Sequence, residues 1–284
     1  MLEVNNLTKE FFMGFKLDNI SFKLEPGYIM GFVGPNGAGK STTIKIIMNL
    51  LKKDSGEIRI FGKDHVESEI EIKDKIGFIY DESYFFENLS IENMKEIIAP
   101  FYSQWDEEVF QEYLKKFELK PRYKIKNLSK GMKVKFALAI ALSHHAQLII
   151  MDEPTSGLDP IFRREVLNLL YEIVHEENIS IFFSTHITSD LERIADYITY
   201  INNGKLIFSK SKDEIMDNYG IVKGGPEQLS NSLREELIGL RETSVSFEGF
   251  TDKASEIRQA YPDLLIERAS LDDIMFNTRG QFND

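Results

Sequence analysis

The stretch GPNGAGKST, residues 34–42, constrains this chain more than any other. It matches the pattern G-x-x-x-x-G-K-[ST] throughout. It follows YIMGFV (28–33), a continuous apolar run of the kind expected for a strand buried on both faces. It precedes a helical pattern carried by Ile44, Ile47, Met48 and Leu51. In that context Gly34, Pro35, Asn36, Gly37, Ala38 and Gly39 read as a loop whose backbone N–H groups turn inward on phosphate oxygens. Lys40 brings a cation to the β- and γ-phosphates, Ser41 offers its hydroxyl to Mg²⁺, and Thr42 leads into the helix.

Three later segments complete a phosphate chemistry. LIIMDEP begins as a second buried strand and ends in Asp152, a carboxylate placed to reach the Mg²⁺ shell. Glu153 leaves the strand in another direction and is the candidate to orient an attacking water and take its proton. SIFFST (180–185) is a further strand, so His186 lies at a strand end where γ-phosphate contacts form. In SGLD (156–159), a tight turn, Asp159 is a candidate for contact with a neighbouring chain.

LSKGMKVKF (128–136) poses a separate question, because it reads as a second anion site. Ser129 is a good N-cap, Gly131 leaves the backbone open, and an apolar stripe follows at Val134, Ala137, Leu138, Ala141 and Leu142. A helix start of this kind attracts phosphate.

The rest of the chain alternates strand and helix patterns, which argues for an α/β fold with a largely parallel central sheet. Short β-like runs open it at Leu2–Val4 and Lys16–Leu24. Residues 57–61 end at Gly62-Lys63 as a hairpin candidate, residues 88–120 read mostly as helix, and 198–201 with 205–208 flank an Asn-Asn-Gly turn. VKGGPEQ (222–228) reads as a linker to a small C-terminal region. Trp105 reads as packing. The formal charge, 34 basic against 46 acidic residues, or −12, argues against nucleic acid as the main partner. Cysteine is absent, which excludes disulfides and thiolate metal sites. No run approaches the ~20 apolar residues that span a bilayer, and the start lacks a secretory signal. Any membrane spans are therefore expected from another subunit.

GPNGAGKST, LSKGMK, LIIMDEP, SGLD and STH, in that order along the chain and with compact spacing, resemble the nucleotide-binding subunit of an ATP-binding cassette (ABC) transporter over residues 1 to about 217. The resemblance implies a P-loop NTPase cassette with a RecA-like parallel-sheet core, an N-terminal antiparallel β subdomain and a helical signature subdomain at about 83–145. A small α/β accessory domain at 218–284 would follow. It implies ATP and Mg²⁺ as ligands. It also implies a head-to-tail pair of cassettes, a homodimer or a heterodimer, in which Ser129 and Gly131 grip ATP held on the opposite chain's Lys40. In the family, IGFIYDES (76–83) aligns with a loop whose glutamine contacts Mg²⁺; Asp81 stands there, as a candidate metal ligand that depends on the metal. An early aromatic ring stacks on adenine, and Phe11, with Phe12 as neighbour, is the candidate. The signature departs from the commonest form at Lys130 and Met132-Lys133.

The implied activity is ATP hydrolysis coupled to transport through an integral membrane permease subunit, at the cytoplasmic face of the cell membrane. Within the family the chain resembles ABC-2-type bacterial exporters, such as the phenol-soluble modulin and antimicrobial peptide exporter group, so an amphipathic cargo is expected. The alternative is a soluble ABC-type ATPase acting on DNA or ribosomes. The short stretch between Lys40 and Ser129, the single cassette and the missing zinc cysteines speak against it.

Overall fold

The computed structural model describes residues 1–12, 14–80 and 84–278. It divides into two compact units, Met1–Ser209 and Lys210–Asp284.

The first unit is built on β1 (Leu2–Glu10), β2 (Lys16–Leu24), β3 (Ile29–Val33), β4 (Ser55–Ile60), β5 (Lys63–Asp64), β6 (Ile76–Ile79), β7 (Leu148–Asp152), β8 (Ser180–Thr185), β9 (Tyr197–Asn202) and β10 (Lys205–Ser211). These strands form one sheet in the order β5-β4-β1-β2-β10-β9-β3-β8-β7-β6. β9, β3, β8, β7 and β6 run parallel, and β2, β1, β4 and β5 pair antiparallel. Every residue of β3, β7 and β8 is buried, which is why these segments read as unbroken apolar runs. Phe22 and Phe182 stack in the core with ring centroids 5.4 Å apart, and Phe32 packs on both.

Around the sheet lie α1 (Lys40–Ile47), α2 (Glu69–Lys73), α3 (Ile91–Ile98), α4 (Glu107–Lys116), α5 (Lys130–Ser143), α6 (Pro160–Glu177) and α7 (Thr188–Ile194). The helical reading of 88–120 resolves into α3 and α4, parted by a short 3₁₀ turn at Ala99–Phe101 that contains Pro100. Trp105 packs on Phe110 at 5.3 Å between ring centroids. α5 packs against β6, α4 and α6, so it is buried on nearly all sides rather than along one stripe. Two hairpin turns carry positive φ at both central residues, at Phe61-Gly62 and at Asn203-Gly204. That geometry belongs to two-residue turns whose twist matches their strands.

The second unit holds a wholly antiparallel sheet, in the order β12-β13-β11-β14, of β11 (Gly220–Gly224), β12 (Ile238–Glu242), β13 (Phe247–Thr251) and β14 (Leu265–Arg268). It carries α8 (Lys212–Asn218), α9 (Asn231–Glu235), α10 (Ala254–Ala260) and α11 (Leu271–Thr278). Its core joins Val222, Leu233, Leu237, Phe247 and Ile257. The linker expected at 222–228 is corrected here, because Val222 is fully buried in an inner strand. Gly224 answers close packing, not flexibility. A Cβ on Gly224 would lie 2.7 Å from both Leu264 and Phe247. The units divide at 209/210, earlier than the boundary at 217 expected from the sequence. No helix among the described residues is long and apolar enough to cross a membrane.

Candidate functional site

β3 delivers the glycine-rich loop to the C-terminal edge of the parallel strands. Gly34 is demanded by packing there, since a Cβ would come 2.3 Å from the Ile201 carbonyl oxygen. Gly39 adopts φ 109 and starts α1 without a side-chain cap, and α1 has no acidic residue in its first turn. Its opening amides are thus left to an external anion. By contrast, α3, α4, α5 and α6 are all capped by their own Ser or Asp.

Lys40 is only 6% exposed. Its Nζ donates to the carbonyl oxygens of Gly34 (2.8 Å) and Pro35 (3.3 Å), and lies 3.3 Å from Glu153 Oε1. The other Glu153 oxygen, Oε2, sits 2.8 Å from His186 Nδ1 and accepts from the His186 backbone N–H at 3.3 Å. Glu153 therefore bridges the ammonium and the imidazole. Its backbone has φ 50, a left-handed conformation that a non-glycine residue adopts only when its surroundings hold it. Ser184 supplies that hold: its Oγ and its carbonyl both accept from Glu153 N–H, at 3.1 and 3.2 Å.

The Ser184 hydroxyl also donates to Asp152 Oδ1 at 2.6 Å, and Ser41 Oγ donates to the same oxygen at 3.0 Å. Two hard oxygen donors at this separation suit Mg²⁺: adjacent ligands of an octahedron with ~2.1 Å bonds lie about 3.0 Å apart. Among the described residues no cluster of three His, Cys, Asp or Glu side chains could hold a metal. Asp81 lies outside the described residues. Beside it, burial, reinforced by Tyr84 and Asp152, pushes the Tyr80 phenol up to about 12, so it stays protonated.

These groups open on a cleft of ≈ 540 Å³ lined by Asn36, Gly37, Gly39, Lys40, Ser41, Thr42, Glu153, Ser156, His186 and Phe15. Ala38 is buried below the loop, where its carbonyl accepts from Gly204 N–H. Phe11 is not on the wall. The ring there is Phe15, whose tip would meet a Cβ on Gly39 at 3.1 Å, and Phe11 packs behind it with ring centroids 6.0 Å apart. Sequence order alone favoured the aromatic nearest LTKE. The intervening turn, closed by Phe11 N–H on Phe15 O, carries the later ring onto the cleft.

Ser129, Gly131 and Asp159 do not line this cleft. Ser129 caps α5 by accepting from Met132 N–H at 3.2 Å. A hydroxyl that accepts still has its own proton to donate. Gly131 is not open backbone: a Cβ would lie 2.4 Å from the Phe162 ring. Asp159 caps α6, its Oδ1 accepting from Ile161 and Phe162 N–H at 3.1 Å each, ahead of Pro160 at the first helical position. Phe162 thus ties the SGLD helix start to the LSKGMK helix start within one chain.

Residues 17–156 match the family model described as ABC transporter. The chain is 36% identical over 209 residues to the bacitracin transport ATP-binding protein BcrA of Bacillus licheniformis, covering 73% of this chain and 68% of that one. It is 34% identical over 215 residues to the lantibiotic transport ATP-binding protein SrtF of Streptococcus pyogenes, covering 75% of this chain and 92% of that one. Among solved structures it resembles the dimeric, ADP- and Pi-bound post-hydrolysis state of the ATP-binding cassette MJ0796. The TM-score is 0.66 at 26% identity, over 74% of this chain and 98% of that one.

Proposed function

The chain belongs to the ABC transporter family as an ATP-binding subunit and ATPase, and from that premise we propose that two cassettes share each ATP and together drive export through a separate integral membrane permease. The observation that carries this reading is the split of the phosphate-binding groups. The cleft at Lys40 is lined by the loop, Glu153 and His186, with Asp152 behind Ser41, yet Ser129, Gly131 and Asp159 stand off it in the same chain. A second cassette, packed head to tail, would bring its own Ser129 hydroxyl and α5 start to the γ-phosphate. ATP then contributes contacts to both surfaces and favours the closed pair, and loss of phosphate weakens it.

Within one cleft the chemistry follows from the bridging carboxylate. Glu153 now occupies the anionic position beside Lys40. The β- and γ-phosphates take that position when ATP binds, and Lys40 turns from carboxylate to phosphate. Glu153, still fixed by His186 and Ser184, is released to orient water in line with the γ-phosphorus and accept its proton. The His186 ring, its Nδ1–H given to Glu153, stands on the side of the same carboxylate toward the γ-phosphate. Phe15, with Phe11 behind it, offers a stacking face to adenine. Ser41 and Asp152 would hold Mg²⁺, which would supply positive charge against the phosphate oxygens.

The cargo we propose is an amphipathic peptide or antibiotic. Likeness to proteins named for bacitracin and lantibiotic transport supports it; the permease would hold this chain at the cytoplasmic face of the membrane. Glu153→Gln tests the reading: hydrolysis falls steeply, while light scattering in ATP and Mg²⁺ finds a nucleotide-dependent pair. A variant that loses hydrolysis and never pairs in saturating ATP contradicts it.

A further inference from the structure

Behind the hydrolytic pair lies a second link between the same two segments. Asp190 is 1% exposed, as is Thr155. Thr155 Oγ1 donates to Asp190 Oδ2 at 2.6 Å, and Arg163 Nε donates to Asp190 Oδ1 at 2.6 Å. Arg163 also donates to Ser189 Oγ at 2.9 Å. Thr155 belongs to the loop that carries Glu153 out of β7. Asp190 lies in the first turn of α7, just past His186, and Arg163 in the first turn of α6, just past the Asp159 cap.

We propose that Asp190 is a positioning residue for hydrolysis: through Thr155 it holds the Glu153 loop at the separation from the His186 turn that keeps Glu153 Oε2 on His186 Nδ1. The inference rests on the roles given to Glu153 and His186 above. Ser184 fixes only the start of the Glu153 loop, through the Glu153 N–H. The left-handed φ at Glu153 tends to relax unless the loop is held on its far side too. Thr155 is the first side chain beyond Glu153 able to do this, Pro154 having no donor, and its bond goes to Asp190. A contact that merely cemented α6 to α7 would need Arg163 and Asp190 alone. The Thr155 arm instead reaches the loop that bears the water-activating carboxylate. Both carboxylate oxygens of a buried Asp are engaged, so loss of one arm disturbs the whole cluster. Arg163 extends the same clamp to the start of α6, where the SGLD turn ends.

The test is steady-state ATPase kinetics on the full chain with Thr155→Val, Thr155→Ser and Asp190→Asn. A catalytic group displaced by ~1 Å costs up to about a hundredfold in rate. Thr155→Val, which keeps the shape and removes the donor, should therefore lower kcat about tenfold while KM for ATP stays within about twofold. Thr155→Ser, which restores the donor, should return kcat to near the wild-type value, and Asp190→Asn should behave like Thr155→Val. Wild-type kcat in Thr155→Val, a change confined to KM, or equal impairment of Thr155→Ser and Thr155→Val would overturn the proposal. If Asp190→Asn does not fold, the two Thr155 variants decide alone. Absence of ATP hydrolysis by the wild-type chain would instead overturn the reading of the site itself.

Discussion

Phe15→Ala is the perturbation that most sharply separates the cleft seen here from the one expected from residue order. The Phe15 ring lies on the wall with its tip against Gly39, which leaves one face for a base. Stacking of a base on an aromatic face contributes about 1–3 kcal/mol. With one edge of the ring already engaged, the lower half of that range applies, and ~1.4 kcal/mol corresponds to about a tenfold rise in Kd. Phe11 lies 6.0 Å from Phe15 at an interplanar angle of 43°, a tilted supporting contact. Its removal forfeits about 0.5–1 kcal/mol, or roughly a two- to fivefold rise in Kd. Isothermal titration of each variant with ATP and with inorganic tripolyphosphate checks both values. Affinity for ATP should fall in the order Phe15→Ala, then Phe11→Ala. Affinity for tripolyphosphate should not change, because the loop at 34–42 is untouched. Equal ATP affinity in Phe15→Ala and wild type, or a larger loss in Phe11→Ala, would refute the assignment.

Two further outcomes concern the scaffold. Gly131→Ala drives a methyl to 2.4 Å from the Phe162 ring. Overpacking costs about 1–3 kcal/mol against ~1 kcal/mol gained from helix propensity, so Tm should fall by a few degrees and Phe162→Leu should recover it. His144 is buried, its two ring nitrogens are unpaired, and it stacks on Tyr102 with ring centroids 3.7 Å apart. Burial pushes it down to about 4, with Asp74 pulling it up by less. Because the folded state resists protonation, its contribution is fully present above the unfolded value near 6.5 and is lost as pH falls toward 4. The loss is about 3 kcal/mol. Urea titrations between pH 7 and 4 should show that decline, and His144→Phe should flatten part of it; an unchanged slope in that variant would remove His144 as the cause.

Much of the site was legible because its chemistry is contiguous. A loop that wraps phosphate needs Gly34, Gly37, Gly39 and Lys40 close in sequence, and buried strands announce themselves through unbroken apolar runs before Asp152 and His186. What escaped was set by approach between distant segments. Ser184, Thr155, Arg163 and Asp190 are ordinary residues in their local patterns, and only the parallel register of β7 on β8 brings Ser184 opposite Asp152. Phe15 replaced Phe11 on the cleft because a turn, not an alternating pattern, decides which ring faces the loop. Gly131 suggested an open backbone, whereas its cause lies across the fold in Phe162. The glycines of 222–228 suggested a linker for a similar reason: sequence does not distinguish a glycine kept for freedom from one kept for close packing.

The claim that each ATP is cleaved only between two chains is tested most directly by mixing two disabled proteins. Lys40→Ala spoils the phosphate loop and leaves Ser129 intact, while Ser129→Arg does the reverse. Each alone should be inactive. Mixed in equal amounts, half of the pairs combine one of each, and each such pair regains one of its two sites. ATPase activity should then recover to about a quarter of the wild-type rate. If the mixture stays as inactive as its parts although mixed pairs form, or if Ser129→Arg alone hydrolyses ATP at the wild-type rate, the shared site does not exist.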